Sequence, residues 1–351
     1  MASVKLALYS RVALVLHGIA LLMLFMYFGR TIFIPLFFSF LVAILLYPFV
    51  KRLERLHFPR VLASITAIII FILVIGGLVY FFSHQVVRFT KDLPTLEQKF
   101  SQKLASIQDW ISDKYHIDDK AQVNYINKSA NGIVNGAVNS LATTFMGIVQ
   151  FFILTIFFFV FTFFILYHRR LLVQFLLALF SRNDNKRVHA VIFEVRAVIN
   201  SYVIGLLTEM GILIVLIFTT LFILGIKYAL LMAVLAAILN IIPYLGIYTG
   251  MLISMIITLA NGSGTEVIEI GIVFLVAHFI DSNIILPRIV GGRVKINPLI
   301  TLIAVLIGHL IWGIPGMFLF IPLTAIIRII SEEVEELKPW AILIGEEKKN
   351  K

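Results

Sequence analysis

The chain contains no cysteine, which excludes disulfides, thiol catalysis and cysteine-ligated metal. Charge is scarce: Asp, Glu, Lys and Arg make up 14% of the 351 residues, while 60% are hydrophobic. A soluble protein of this size needs more polar surface than that, so the natural solvent for most of the chain is lipid. Catalytic signatures are missing as well. There is no Gly-x-x-x-x-Gly-Lys-Ser/Thr phosphate loop, no His-Glu-x-x-His zinc motif and no Gly-x-Ser-x-Gly nucleophile elbow. A membrane enzyme therefore lacks support, and a carrier driven by an ion gradient fits better. It needs no cofactor beyond a coupling proton or sodium ion.

The charge that is present is lopsided, with a formal net charge of +10. The basic residues sit in short loops between apolar runs, not on one soluble face. That pattern is the positive-inside bias of membrane proteins and not a nucleic-acid footprint. Residues 11–29 and 31–49 read as a tight transmembrane hairpin with Arg30 between its arms. Lys51, Arg52, Arg55 and Arg60 come next, opposed only by Glu54, which assigns this loop to the cytoplasm. The first apolar run is too long for a signal-peptide core and reads as a retained span. A third span covers 61–82 and closes an N-terminal region of three helices, 1–82.

From 83 to 144 the chain turns polar, and by the parity of three spans this small helical domain is extracytoplasmic. Apolar residues recur at helical spacing in Leu93, Leu96, Phe100, Leu104, Ile107 and Ile111. Asp92-Leu93-Pro94 reads as a helix start with proline in the first turn. Residues 145–203 hold a phenylalanine-rich fourth span, ending at His168-Arg169-Arg170, and then an amphipathic cytoplasmic segment. A transport domain, 204–330, and a charged cytoplasmic tail, 331–351, complete the chain.

Within the transport domain two long apolar stretches are interrupted at their middle. One runs from Tyr228 to Ala260 and breaks at Pro243-Tyr244-Leu245-Gly246; the other runs from Leu299 to Ile327 and breaks at Gly313-Ile314-Pro315-Gly316. A straight helix of about 30 residues would be roughly 45 Å long, against a hydrocarbon core of about 30 Å. Loop charge separates the alternatives for the first stretch. A single kinked crossing would put Arg288, Arg293 and Lys295 outside, against the positive-inside bias. Entry and exit on one side, or two crossings, both put that basic loop inside. Halves of about 15 residues, roughly 22 Å, are short for full spans and favour re-entrant hairpins. Each stretch comes after one full span, 204–226 and 267–286, so the pattern occurs twice in opposite orientation, an inverted repeat suited to alternating access. Irregular backbone at membrane depth must be buried or line a cavity, so the two breaks are expected to face one another or a shared cavity. The fold class is therefore an all-α polytopic membrane protein. It has about six full spans, two broken helical hairpins and a helical extracytoplasmic domain.

Ionisable residues at membrane depth are expensive and point to function. Glu209 lies in the fifth span, and Asp281 lies before Pro287 with His278, Ser282 and Asn283 beside it. His278 precedes Asp281 by three positions and shares its helical face, which suits a proton relay or a stabilising hydrogen bond. Asn240 precedes the first break. The candidate substrate or ion site is thus Asp281, Asn283, Glu209, Asn240, His278 and the break residues Pro243, Gly246, Gly313, Pro315 and Gly316. No metal site is expected.

Two stretches carry a family resemblance. One is Leu224-Gly225-Ile226-Lys227-Tyr228-Ala229-Leu230-Leu231 with Asn240-Ile241-Ile242-Pro243-Tyr244-Leu245-Gly246. The other is Pro287-Arg288-Ile289-Val290-Gly291, Ile296-Asn297-Pro298-Leu299, Trp312-Gly313-Ile314-Pro315-Gly316-Met317 and Ile321-Pro322-Leu323. With these the chain resembles the autoinducer-2 exporter (AI-2E) family. Two positions depart from the family pattern. Gly205-Leu206-Leu207 stands where the family often has Gly-Gln-Leu, and Asn297 stands where it usually has histidine before proline. The resemblance implies export of a small polar signalling molecule; other members resemble sodium (lithium)/proton antiporters. It also implies a homo-oligomer, a pentamer, in a bacterial cytoplasmic membrane with both termini inside. The leading reading is a secondary exporter of a small polar solute. A monovalent cation/proton antiporter and a non-transporting membrane scaffold are the alternatives.

Overall fold

The computed structural model describes residues 8–115, 153–180, 184–242, 246–289 and 295–346, and among them the chain is helical throughout apart from turns and one isolated bridge between Ile296 and Gly345. The helices are α1 (Leu8–Phe28), α2 (Arg30–Arg55), α3 (Arg60–Tyr115), α4 (Ile153–Tyr167), α5 (Arg169–Ala178), α6 (Asn185–Ile223), α7 (Ala229–Leu239), α8 (Gly246–Asn261), α9 (Gly264–Ile280), α10 (Leu286–Ile289), α11 (Pro298–Trp312), α12 (Ile314–Glu333) and α13 (Lys338–Ile344). A π-turn, Asp281–Ile285, joins α9 to α10. Among the described residues, five helices are long and apolar enough to cross a membrane, or six if the bent pair α4 and α5 counts as one span. The chain is a polytopic all-α membrane protein.

It divides into two compact units. One comprises residues 1–69, 154–205 and 290–351; the other comprises 70–153 and 206–289. In the first unit, α1 and α2 meet at Gly29, where a side chain would press on the Phe33 ring and the Phe25 carbonyl. The core gathers Leu41, Ile199, Ala304, Trp312, Leu319 and Phe320. Trp312 packs against Phe33, Phe37 and Phe320, and its indole N–H donates to the Met26 carbonyl at 2.9 Å, tying α11 to α1. Asn297 caps α11: its Oδ1 accepts from the Ile300 amide at 2.9 Å, and its amide donates to the Leu343 carbonyl at 2.6 Å. Asparagine where the family pattern has histidine therefore has a structural role.

The second broken stretch lies in this unit as the pair α11 and α12. The chain turns at one residue, Gly313, with φ 63° and ψ −141°, a region open only to glycine. Pro315 sits in the first turn of α12, where its missing N–H costs nothing. Gly308 and Gly316 then let the two helices touch: a Cβ on either would collide with the other's carbonyl oxygen. The breaking residues are those expected. The halves are unequal, however: α11 has 15 residues, while α12 has 20 and is long enough to span.

The second unit is built on Ile217, Leu221, Met232, Ala236, Ile247, Ile270 and Phe274. Here α7 and α8 form the first broken stretch, and α9 packs on α8. The approach of α8 to α7 is close enough that a Cβ on Gly250 would stand 2.9 Å from the Ala236 Cα. Both halves, 11 and 16 residues, are too short to cross.

Two boundaries differ from the expectation. Helix α3 runs without interruption through Asp92-Leu93-Pro94, so no helix starts there. Proline inside a helix sacrifices one hydrogen bond, and a register carried on both sides absorbs that loss. The amphipathic segment after α4 is also not separate from the fifth span. From Asn185 it continues into Glu209 as one 39-residue helix, because no glycine or proline interrupts residues 185–204. Residues 116–144 of the expected extracytoplasmic domain, 145–152 of the expected fourth span, Pro243-Tyr244-Leu245 and Gly291 lie outside the described residues.

Candidate functional site

Three of the sequence-predicted residues meet in the second unit. Glu209 projects from α6, Asn240 ends α7, and Asp281 opens the π-turn after α9. Asn240 Nδ2 donates to Glu209 Oε1 at 3.1 Å and to Asp281 Oδ2 at 3.3 Å, so both amide hydrogens are used on carboxylates. Each acid is only 4% exposed. Glu209 Oε2 and Asp281 Oδ1 are buried without a hydrogen-bond partner, and neither acid forms a salt bridge among the described residues.

Local sequence explains each position. Asn240 sits where α7 stops, its backbone amide bonded to the Ala236 carbonyl at 2.8 Å. The chain returns at Gly246, where a Cβ would collide with the Leu239 carbonyl and stand 2.5 Å from the Asn240 Cα. Only glycine allows that approach, so Gly246 positions Asn240. At Asp281 the helix widens to a π-turn, with the Leu286 amide reaching back to the Asp281 carbonyl. Pro287 accounts for this: it has no N–H to donate and its ring crowds the carbonyl four residues earlier.

Other predicted residues fall elsewhere. Asn283 is exposed and donates to the Phe279 carbonyl at 2.8 Å, so it does not join the carboxylates. His278 meets the Ser282 hydroxyl at 3.4 Å and the Tyr248 ring edge-on at 5.0 Å. No hydrogen bond to Asp281 accompanies these contacts. Gly313, Pro315 and Gly316 make the break in the first unit. Pro243 is outside the described residues.

Sequence reading missed a second polar corner of this unit. Tyr228, at φ 64°, donates its hydroxyl to Asp92, and Lys227 donates to the same carboxylate at 3.0 Å. The hydrogen bonds to Tyr228 and Asp92 hold the Lys227 ammonium above the ordinary lysine range; burial, then the Asp92 bond, pushes the Tyr228 hydroxyl up. A cavity of about 160 Å³ lies beside them, lined by Thr258 and Glu266 among others. The hydroxyls of Ser254 and Thr258 are buried on one face of α8 without partners. Polar residues at i and i+4 in an apolar helix were the available signal. Asp92, 135 residues from Lys227, left none.

What this geometry offers is a buried pair of carboxylates bridged by one amide in a membrane protein, with no group of three or more His, Cys, Asp or Glu suited to a metal among the described residues. The model of the AI-2E family transporter matches residues 16–336. The chain belongs to the AI-2E family. Full-length relatives agree. YrrI of Bacillus subtilis, named as a transport protein, is 25% identical over 308 residues, 86% of either chain. A transport protein of Haemophilus influenzae is 25% identical over 353 residues, 96% of this chain and 94% of its own. YhhT of Escherichia coli K12 is 35% identical over 121 residues, about a third of each chain. As an AI-2E family member the protein is a membrane transporter, and the acid pair is a candidate site for what it moves or couples to.

Proposed function

We propose that the protein is a secondary active transporter of the cytoplasmic membrane that exports a small polar solute. It uses a proton or sodium gradient, with Glu209, Asn240 and Asp281 as its cation site. The observation that carries this reading is the pair of buried carboxylates sharing one amide, each with a free oxygen. Two such charges in a low dielectric repel and must be balanced. No lysine or arginine among the described residues answers them, so a transferable proton or monovalent cation is the fitting counter-charge. The solute belongs near the first helix break, where backbone leaves the helix beside this pair. In the same reading the two broken stretches form an inverted repeat, the protein assembles as a homo-oligomer, and both termini are cytoplasmic.

Reconstituted vesicles test the assignment. Asp281→Asn and Glu209→Gln should each abolish gradient-driven flux while assembly in detergent is unchanged. Unaltered flux in both variants would remove the carboxylates from the mechanism. A second reading, monovalent cation/proton antiport, draws on the same unpartnered oxygens. It predicts proton release from the vesicles when sodium or lithium is added without any organic solute.

A further inference from the structure

In the first unit, a cavity of about 380 Å³ opens where α3 begins and α4 meets α5. Arg60, His168 and Arg170 line it, and no acidic side chain does. The nearby acid Glu54 is already taken by Arg169, whose guanidinium lies over the Tyr47 ring at 5.2 Å. Neither Arg60 nor Arg170 forms an ion pair among the described residues. His168 stands at the N-cap of α5, makes no capping hydrogen bond, and is held by ring contacts to Phe164 at 5.9 Å and Tyr167 at 4.7 Å, which fix the imidazole at the cavity wall. The rest of the lining includes Val61, Tyr167 and Leu171, all exposed at the rim.

The helix beside the cavity explains what these cations are for. Helix α5 bends 67° away from α4 and buries none of its residues. Leu171, Leu172, Phe175 and Leu176 are all exposed on it. A helix that turns off a span at a basic run and shows apolar residues to its surroundings lies in the membrane interface, its apolar side among acyl chains. The cavity at its start is then at headgroup level, and loop charge assigns that level to the cytoplasmic leaflet. There anionic lipids concentrate, and basic pockets between spans hold their headgroups.

We infer that Arg60, His168 and Arg170 form a binding site for the phosphate of an anionic phospholipid, whose acyl chains run along Val61, Leu171 and the exposed side of α5. The site is distinct from the carboxylate pair and does not depend on the transport reading. A bound lipid bridges the start of α3 to α5, and so fixes the bend.

The full-length protein in neutral detergent provides the test, with native mass spectrometry counting retained lipid and a thermal melt reading stability. Phosphatidylglycerol is the probe, with phosphatidylcholine and inorganic phosphate as parallel arms. Phosphatidylglycerol should be retained and raise the melting temperature. R60Q and R170Q should each weaken retention about fivefold, and the double variant about 25-fold, while R60K/R170K keeps it. R187Q, at a basic residue in the first turn of α6 that does not line the cavity, should change nothing. If the double variant fails to assemble, the single variants carry the same readout. Equal retention in wild type and R60Q/R170Q, or equal binding of phosphatidylcholine, would overturn the site. Stabilisation by inorganic phosphate alone, without lipid retention, would overturn the lipid assignment.

Discussion

The two helix breaks do different work. In the second unit the break after α7 ends in a polar side chain, and Asn240 spends both amide hydrogens on buried carboxylates. In the first unit the break between α11 and α12 is a single glycine set in dry contacts: Gly308 lies against Gly316, and Trp312 is locked among Phe33, Phe37 and Phe320. Alike in sequence as interrupted apolar stretches, one places chemistry and the other places backbone. A proline-glycine break marks where a helix stops; neighbouring side chains decide whether that stop becomes a site.

The contrast can be broken most forcefully at the second break. Gly308→Leu drives a side chain into the Gly316 backbone, where overpacking costs about 3 kcal/mol or more because backbone cannot yield. We expect loss of folded protein by size-exclusion chromatography and thermal melt, not a selective loss of flux. At the first break the effect should divide the other way. Asn240→Leu leaves both carboxylates without a donor, about 1–3 kcal/mol for each uncompensated group. Flux should vanish in protein that still assembles, and adding Glu209→Gln should recover part of the stability. A double-mutant cycle on thermal melts measures that coupling. Next, Trp312→Phe keeps the aromatic packing and removes only the bond to the Met26 carbonyl. A loss of about 1 kcal/mol with normal flux is expected.

The smallest effect belongs to the exposed pair at the second polar corner. Lys227→Met should cost at most about 1 kcal/mol, and less at high salt. Lys227 is held above its ordinary value of 10.5, so its contribution is complete below that pH and fades as pH rises through the folded-state value. Melts of wild type and variant should therefore differ at neutral pH and converge in strong alkali.

Some elements were legible because they depend on local rules. Hydropathy located the spans in α2, α3, α6 and α9, though α1 is a shorter apolar helix and α12 is long enough to cross; glycine and proline located the breaks, and the rarity of intramembrane acids singled out Glu209 and Asp281. Asn283 was misplaced because a sequence neighbour of Asp281 need not share its side of the helix, and the π-turn begun at Asp281 changes the local register. Asp92 misled as a helix start: the signal was local, but the helix carried through it.

By itself, then, the sequence determined the solvent, the family, most of the spans and the two places where helices must stop, since backbone hydrogen bonding and hydropathy act over a few residues. Only tertiary structure decided which of the polar residues meet. It joined Glu209 to Asp281 through Asn240, which lies 31 positions from the first and 41 from the second, and brought the Leu343 carbonyl to the Asn297 amide. Those outcomes rest on packing between distant helices and on the cost of burying a carboxylate with one oxygen unanswered, which no local pattern records.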